Sequence, residues 1–235
     1  MEAALYLIPV TLGETPVAQV LPSYNHDIIV GIRHFVVENL RSARRFLRQT
    51  DREFPIDDCT FYEMGKHADE ARFASYLTPL RKGLPVGVIS EAGCPAVADP
   101  GADLVAIAQR EGLRIIPLVG PNSMIMAIMG SGMNGQSFAF NGYLPVDTAD
   151  RSKRIKSLEA RAYNEGQSQL FIETPYRNQK MIDTLLSTLR PQTRICIAAG
   201  ITTPDEFIRT LHVSEWKKQT LPDLSKIPAI FIINK

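Results

Sequence analysis

The fold class predicted for this chain is α/β, arranged as two α/β domains with a ligand cleft between them, and two observations predict it. Short apolar runs rich in β-branched and aromatic residues alternate with longer stretches of helical periodicity along the 235 residues, the pattern of a mainly parallel sheet covered by helices. Near mid-chain, Val119-Gly120-Pro121-Asn122-Ser123 interrupts that alternation. Gly-Pro ends one run there, and Asn122 or Ser123 is available to cap the next helix. The expected division is residues 1–118 and 119–235.

Taken in order, the first domain opens on the strand LYLI at 5–8, followed by FVV at 35–37 and a helix over 39–49. A strand at 60–62, a helix over 67–82 and the buried run VGVI at 86–89 come next, then a helix over 102–111 and a strand at 115–118. The second domain starts with a helix over 122–129 and a strand at 137–140, continued by a helix over 150–163 and a strand at 170–172. A helix over 176–189 and strands at 195–198 and 206–209 follow, before a helix over 213–219 and a last strand at 229–233. Near the end strands succeed one another with little helix between them, which predicts a mixed sheet.

Composition narrows the function classes. A hydrophobic content of 45% with 22% charged residues belongs to an ordinary soluble globular protein. No apolar run approaches the ~18–20 residues of a membrane span, and MEAALYLIPV lacks the basic flank of a signal peptide, so a cytoplasmic protein is expected. The net charge of +1 leaves any nucleic-acid binding to local clusters. Cys59, Cys94 and Cys196 form no C-x-x-C pair, and His26, His34, His67 and His212 have no ligand spacing, so no metal site is expected.

The stretch VGVISEAGCPAVADPG, 86–101, carries the most chemistry. A strand-to-helix connection needs only ~2–6 residues, and this one is much longer. In an open α/β sheet it lies where ligands bind, beyond the C-terminal end of a strand. Gly93 lets backbone groups approach a ligand, and Pro95 and Pro100 stiffen the loop. Val119–Ser123 and Glu173-Thr-Pro175 also follow strands, so three rigid loops suggest one interdomain site. Gly130-Ser-Gly132-Met-Asn-Gly135 matches a dinucleotide fingerprint in letters only, because a helix precedes it and a strand follows; it reads as a helix stop. Met124, Met126 and Met129 fit either a sulfur-rich pocket or core packing.

SEAGCPAVADPG resembles the S-[DE]-A-G-[TC]-P-x-x-x-D-P-G loop of the tetrapyrrole methylase superfamily, the class III S-adenosylmethionine methyltransferases. The similarity continues through LVGPNSMIMAIMGSGM, FAFNGYLP, FIETPYR and IPAIFII, and is closest to the branch that methylates a cytidine ribose 2′-hydroxyl in small-subunit ribosomal RNA. The resemblance implies two α/β domains with S-adenosylmethionine in the cleft, and a homodimer. By position it implies that Glu91, Ala92, Gly93, Cys94, Pro95, Val97 and Ala98 wrap the methionine and ribose parts, with Asn122 and Ser123 contacting the cofactor from the next loop. It further implies that Ile172, Glu173, Ala198, Ala199, Pro228 and Ala229 form the adenine side, largely through backbone groups, and that Pro9 stands near the substrate entrance. Two motifs of that branch are altered: T-P-I-G-N-L is Ile8-Pro9-Val10-Thr11-Leu12-Gly13, and A-E-D-T-R is Val37-Glu38-Asn39-Leu40-Arg41.

A ribose hydroxyl is a poor nucleophile, so methyl transfer to it benefits from a base or an oxyanion-stabilising cation. Glu38 with Arg41 is the candidate pair; a helix-start acid in a local ion pair is the other reading. Cys94 has no histidine nearby in sequence and is not expected to act as a nucleophile. Two basic clusters could track phosphates: Arg41, Arg44, Arg45 and Arg48, and Arg151, Lys153, Arg154, Lys156 and Arg161. Lys153, Arg154 and Lys156 are the expected substrate contacts, although solvated helix faces have the same pattern. The functions left open are a ribosomal RNA ribose methyltransferase, a small-molecule (tetrapyrrole-like) methyltransferase, and a non-catalytic RNA- or ribosome-binding scaffold.

Overall fold

The computed structural model describes residues 1–64 and 70–235, which divide into two compact units, Met1–Asn122 and Ser123–Lys235. The division falls after Asn122 rather than after Leu118. Val119 and Pro121 are tied into the first unit: the Val119 carbonyl accepts from Asn25 Nδ2 at 2.8 Å and the Pro121 carbonyl from Cys94 Sγ at 3.5 Å.

Unit 1 runs β1 Leu5–Ile8, α1 Val17–Val20, α2 Ser23–Ile29, β2 His34–Val37, α3 Leu40–Thr50, a 3-10 turn Ile56–Asp58 and β3 Thr60–Glu63. It continues with α4 Glu70–Tyr76, α5 Thr78–Arg81, β4 Val86–Ile89, α6 Ala102–Arg110 and β5 Ile115–Pro117. The strands form one fully parallel sheet in the order β3-β2-β4-β1-β5. Alternation along each strand feeds two cores. Tyr6, Ile8, Phe35, Val37 and Ile89 pack with Ile29, Phe46 and Leu47 of α2 and α3 on one face. Leu5, Val36, Val86 and Val88 pack with Leu77, Leu104 and Ile107 on the other. Such double coverage explains why these strands read as unbroken apolar runs. The single helix expected over 67–82 is two described segments, α4 and α5; positions 67–69, His67 among them, lie outside the described residues.

Unit 2 runs α7 Ser123–Ser131, β6 Phe138–Tyr143, α8 Thr148–Glu165, β7 Ser168–Glu173, a 3-10 turn Pro175–Arg177 and α9 Asn178–Thr188. It ends with β8 Arg194–Ala199, β9 Phe207–His212, α10 Val213–Trp216 and β10 Ala229–Asn234. Its sheet, in the order β6-β7-β10-β8-β9, is mixed: β6 and β7 are parallel and the other pairs antiparallel. Phe171 and Phe231 stack at 5.9 Å in a core that also holds Leu158, Ile182 and Trp216. The glycine-rich segment after α7 is the helix stop read from sequence, with Gly132 at φ 64°. Of the three methionines, Met129 is exposed and Met124 and Met126 are half-buried, while Ala127 and Ile128 supply the core face.

Candidate active site

In unit 1 the register pairs Ile8 with Ile89 and Ile89 with Val37. Pro9, Glu38 and Ser90 therefore leave three adjacent parallel strands at one level, at the C-terminal edge where such sheets bind ligands. The connection after β4 is held there from both sides. Val10 N donates to the Gly93 carbonyl at 2.9 Å, forming an isolated antiparallel bridge with the segment after β1. From the β2 side, Glu38 Oε2 accepts from Glu91 N at 3.0 Å. Within the loop, Gly93, Ala96, Ala98 and Gly101 all have positive φ, at 68°, 66°, 61° and 122°. A non-glycine residue in the left-handed region costs ~1–2 kcal/mol, so Ala96 and Ala98 hold this shape against their own preference. The unusual length of the connection is spent on a fixed, strained backbone. Ala92, Val97 and Ala98 are exposed on it, while Gly93 and Pro95 are buried.

Gly93 is the tightest point of this cradle. A Cβ there would sit 3.1 Å from Leu12 Cδ2 and 3.5 Å from the Pro121 carbonyl. Cys94 donates its thiol to that same carbonyl and is also hydrogen-bonded by the Asn122 side chain. Burial pushes the Cys94 thiol above its ordinary value despite that bond, which leaves it protonated and unsuited to nucleophilic attack. Asn122 and the loop are therefore one assembly, as are Pro9–Val10 and the loop.

Glu38 does not serve as the acid at the start of α3. That place belongs to Glu63, whose Oε1 accepts from Leu40 N at 3.2 Å, and Asn39 caps the helix by accepting from Ser42 N at 3.1 Å. Arg41 is exposed and forms no ion pair with Glu38 among the described residues. Glu38 instead ties β2 to the loop, and Ser42 Oγ adds a second tie by donating to Glu91 Oε1 at 2.9 Å. A third carboxyl joins them. Desolvation, followed by the charge of Glu38, pushes Asp99 from 3.8 up to about 6, and the Ser90 hydroxyl bonded to it only partly offsets the rise. Glu38 and Glu91 thus lie near enough to Asp99 at the strand ends for their charges to raise it. Asp99 was not among the residues singled out from sequence; its place between two prolines in the quoted loop is the one signal that could have found it.

In unit 2 the expected adenine-side residues lie together. Ala229 pairs with Glu173 on one side and Ala199 on the other, and Ile230 pairs with Ile172 and Ala198. Pro228 precedes this row and its carbonyl accepts from Gly200 N at 3.0 Å. Ala199 and Ala229 belong to the core, so what they can offer a ligand is backbone. The Glu173 side chain is turned to structure as well. It is buried, pairs with Arg177 Nη2 at 2.7 Å and accepts from Thr174 N at 2.8 Å. Ser123 begins α7 at the start of the unit.

The three expected substrate contacts on α8 separate. Lys153 and Lys156 are exposed. Arg154 Nη2 donates to Asn141 Oδ1 at 3.0 Å, and Asn141 Nδ2 donates to the Ala139 and Leu170 carbonyls across the irregular pairing of β6 and β7. Arg154 therefore positions the Asn141-Gly142 segment. Arg151, of the same cluster, is buried and bonded to the Val146 carbonyl at 2.9 Å and to Thr184 Oγ1, so it faces the protein interior. Among the described residues no group of three or more His, Cys, Asp or Glu could hold a metal ion, and no helix is long and apolar enough to cross a membrane.

No family model matches the chain. Curated relatives carry one name, ribosomal RNA small subunit methyltransferase I. The Vibrio cholerae protein is 26% identical over 90% of this chain and 69% of its own length. The Escherichia coli O157:H7 protein is 27% identical over 93% and 73%, and that of Halalkalibacterium halodurans 32% identical over 73% and 56%. The chain thus spans between about half and three-quarters of the relatives it matches. Among solved structures, the methyltransferase CobJ superposes with a TM-score of 0.63 at 14% identity, covering 99% of this chain and 94% of that one. The uroporphyrin-III-C-methyltransferase of Thermus thermophilus gives 0.59 at 17% identity, with 99% and 94% covered. At these identities the structural likeness is one of fold.

Proposed function

We propose that this chain, a member of the tetrapyrrole methylase superfamily, is an S-adenosylmethionine-dependent methyltransferase that methylates a cytidine ribose 2′-hydroxyl in small-subunit ribosomal RNA. The observation that carries the reading is the strained strand-end loop after β4, held by Glu38 and Val10 and tight against Leu12 at Gly93. A backbone kept in that shape, with Ala92, Val97 and Ala98 exposed on it, fits a ligand recognised mainly by main-chain groups.

S-adenosylmethionine, when bound, supplies a methyl group already activated on a sulfonium. The chain's own task is positioning and electrostatics. Glu91, Ala92, Gly93, Cys94, Pro95, Val97 and Ala98 hold the methionine and ribose parts, with Asn122 and Ser123 beside them. Ile172, Glu173, Ala198, Ala199, Pro228 and Ala229 hold the adenine through backbone groups, and Pro9 borders the substrate entrance. Glu38 takes the proton that leaves the 2′-oxygen as it attacks the methyl carbon, and Asp99 shares that proton. Arg41 offsets negative charge at the same edge, and Lys153 and Lys156 meet RNA phosphates. The protein works in the cytoplasm and, as the sequence resemblance implies, as a homodimer.

The test is transfer of a labelled methyl group from S-adenosylmethionine to small ribosomal subunits lacking the modification, followed by nuclease digestion. Label in 2′-O-methylcytidine is the expected result. Protein that binds S-adenosylmethionine yet leaves the RNA unlabelled refutes the reading.

A further inference from the structure

Unit 1 contains a cavity of about 870 Å³ that no assignment above explains. It is lined by residues 10–18, by α3, and by Ser90 and Glu91. We infer that this cavity holds the phosphodiester backbone of the substrate RNA beside the methyl-transfer site, through Arg45, Arg48 and Arg52; the inference rests on the RNA-methyltransferase reading and locates its substrate.

Three observations carry it. First, the three arginines are exposed and line one cavity: Arg45 and Arg48 lie one turn apart on α3, ~5–6 Å between neighbours, and Arg52 follows the end of the helix, where Asp51 is extended. Three positive charges gathered in one concavity concentrate positive potential and suit a polyanion. Secondly, these charges are not used inside the fold. Among the described residues none of the three pairs with a carboxylate, and the one bond they make is from Arg48 Nη1 to the Arg52 carbonyl at 2.7 Å. Other arginines nearby behave differently: Arg44 lies over the Phe61 ring at 5.4 Å and Arg33 over Phe54 at 5.9 Å. Thirdly, the cavity shares Ser90 and Glu91 with the loop proposed to hold the methyl donor, and Ser42 of α3 is bonded to Glu91. An RNA strand lying along α3 would therefore have a ribose at that edge. By contrast, in the α8 cluster Arg151 is buried, Arg154 is bonded to Asn141, and Arg161 is bonded to Gln167 and paired with Glu165, which leaves the two lysines as outer contacts.

The experiment measures binding of a fluorescent 12-nucleotide single-stranded cytidine-rich RNA across a salt series. It compares wild type, Arg45→Ala/Arg48→Ala/Arg52→Ala, the corresponding triple lysine variant, and Lys153→Ala/Lys156→Ala. A single-strand phosphate contact contributes ~0.7 to the slope of log K against log salt. Loss of three contacts is thus expected to lower the slope by about 2 and to weaken binding about 100-fold near 0.1 M salt. The lysine variant should retain most of the slope, and all variants should bind S-adenosylmethionine as wild type does. An unchanged slope in the triple alanine variant, with the lysine-pair variant losing it instead, overturns the inference while leaving the RNA reading intact. Wild-type protein that binds S-adenosylmethionine but no RNA at low salt contradicts that reading, and the inference with it.

Discussion

Replacing Gly93 by alanine puts a methyl group at the narrowest point of the strand-end loop, and its cost follows from two terms. The backbone sits at φ 68°, where a side chain costs ~1–2 kcal/mol. The new Cβ would also lie 3.1 Å from Leu12 Cδ2, a contact that must open by a few tenths of an ångström and adds about 1 kcal/mol. Gly112 provides an internal control, because it has nearly the same φ, 65°, with no heavy atom within 4 Å of its would-be Cβ. Gly93→Ala should therefore destabilise by about 2–3 kcal/mol and Gly112→Ala by about 1–2 kcal/mol, read from urea midpoints. The two should separate further in ligand binding. Moving Gly93 to relieve Leu12 disturbs the bond from Val10 N, so S-adenosylmethionine affinity should fall about 10–30-fold in Gly93→Ala, equivalent to ~1.4–2 kcal/mol, and stay unchanged in Gly112→Ala. Equal destabilisation by the two substitutions, with unchanged affinity in both, would refute the cradle.

Glu38→Gln keeps a side-chain oxygen to accept from Glu91 N, so it should preserve S-adenosylmethionine affinity and reduce turnover by about 10²–10⁴-fold; wild-type turnover removes Glu38 as the base. Asp99 gives a signed pH dependence. The folded state keeps its proton up to about 6 while its ordinary value is 3.8, so over that interval the folded chain binds more protons and stability falls as pH rises. Asp99→Asn should thus stabilise by ~1–2 kcal/mol at pH 8, after allowance for partial solvent screening, relative to its effect at pH 3. Equal effects at both pH values in urea titrations would exclude the perturbed carboxyl. Arg151→Ala should cost about 2–4 kcal/mol in unfolding free energy by emptying the space of a buried side chain and removing its bonds to the Val146 carbonyl and to buried Thr184, with no change in the salt slope of RNA binding; a stability close to wild type would contradict its interior role.

The strands were readable because both faces of the parallel sheet are covered, which makes LYLI and VGVI unbroken apolar runs. The helices α1 and α2 were not expected. They are short and follow Pro16 and Pro22, and α1 buries no residue, so neither has the long apolar stripe that marks a helix. At the site, the loop was legible from its length and its Gly and Pro residues, whereas the row Glu173–Ala229–Ala199 was expected only from the family resemblance; strand register brings that row together. What spacing could not reveal is how charges are used. Glu38 and Arg41 look like a local pair, yet Glu38 bonds to Glu91, fifty-three positions away. Arg151 and Lys153 look equivalent on α8, but one turns inward toward Thr184 and the other outward. The raised Asp99 depends on Glu38 and Ser90, contacts made only once the strands are in register.

The most direct test of the central claim is a calorimetric titration of the folded protein with S-adenosylmethionine and, separately, with S-adenosylhomocysteine. The account predicts saturable binding of both at one site per chain, weakened about 10–30-fold in Gly93→Ala. Absence of binding by protein whose fold is verified by circular dichroism would contradict it.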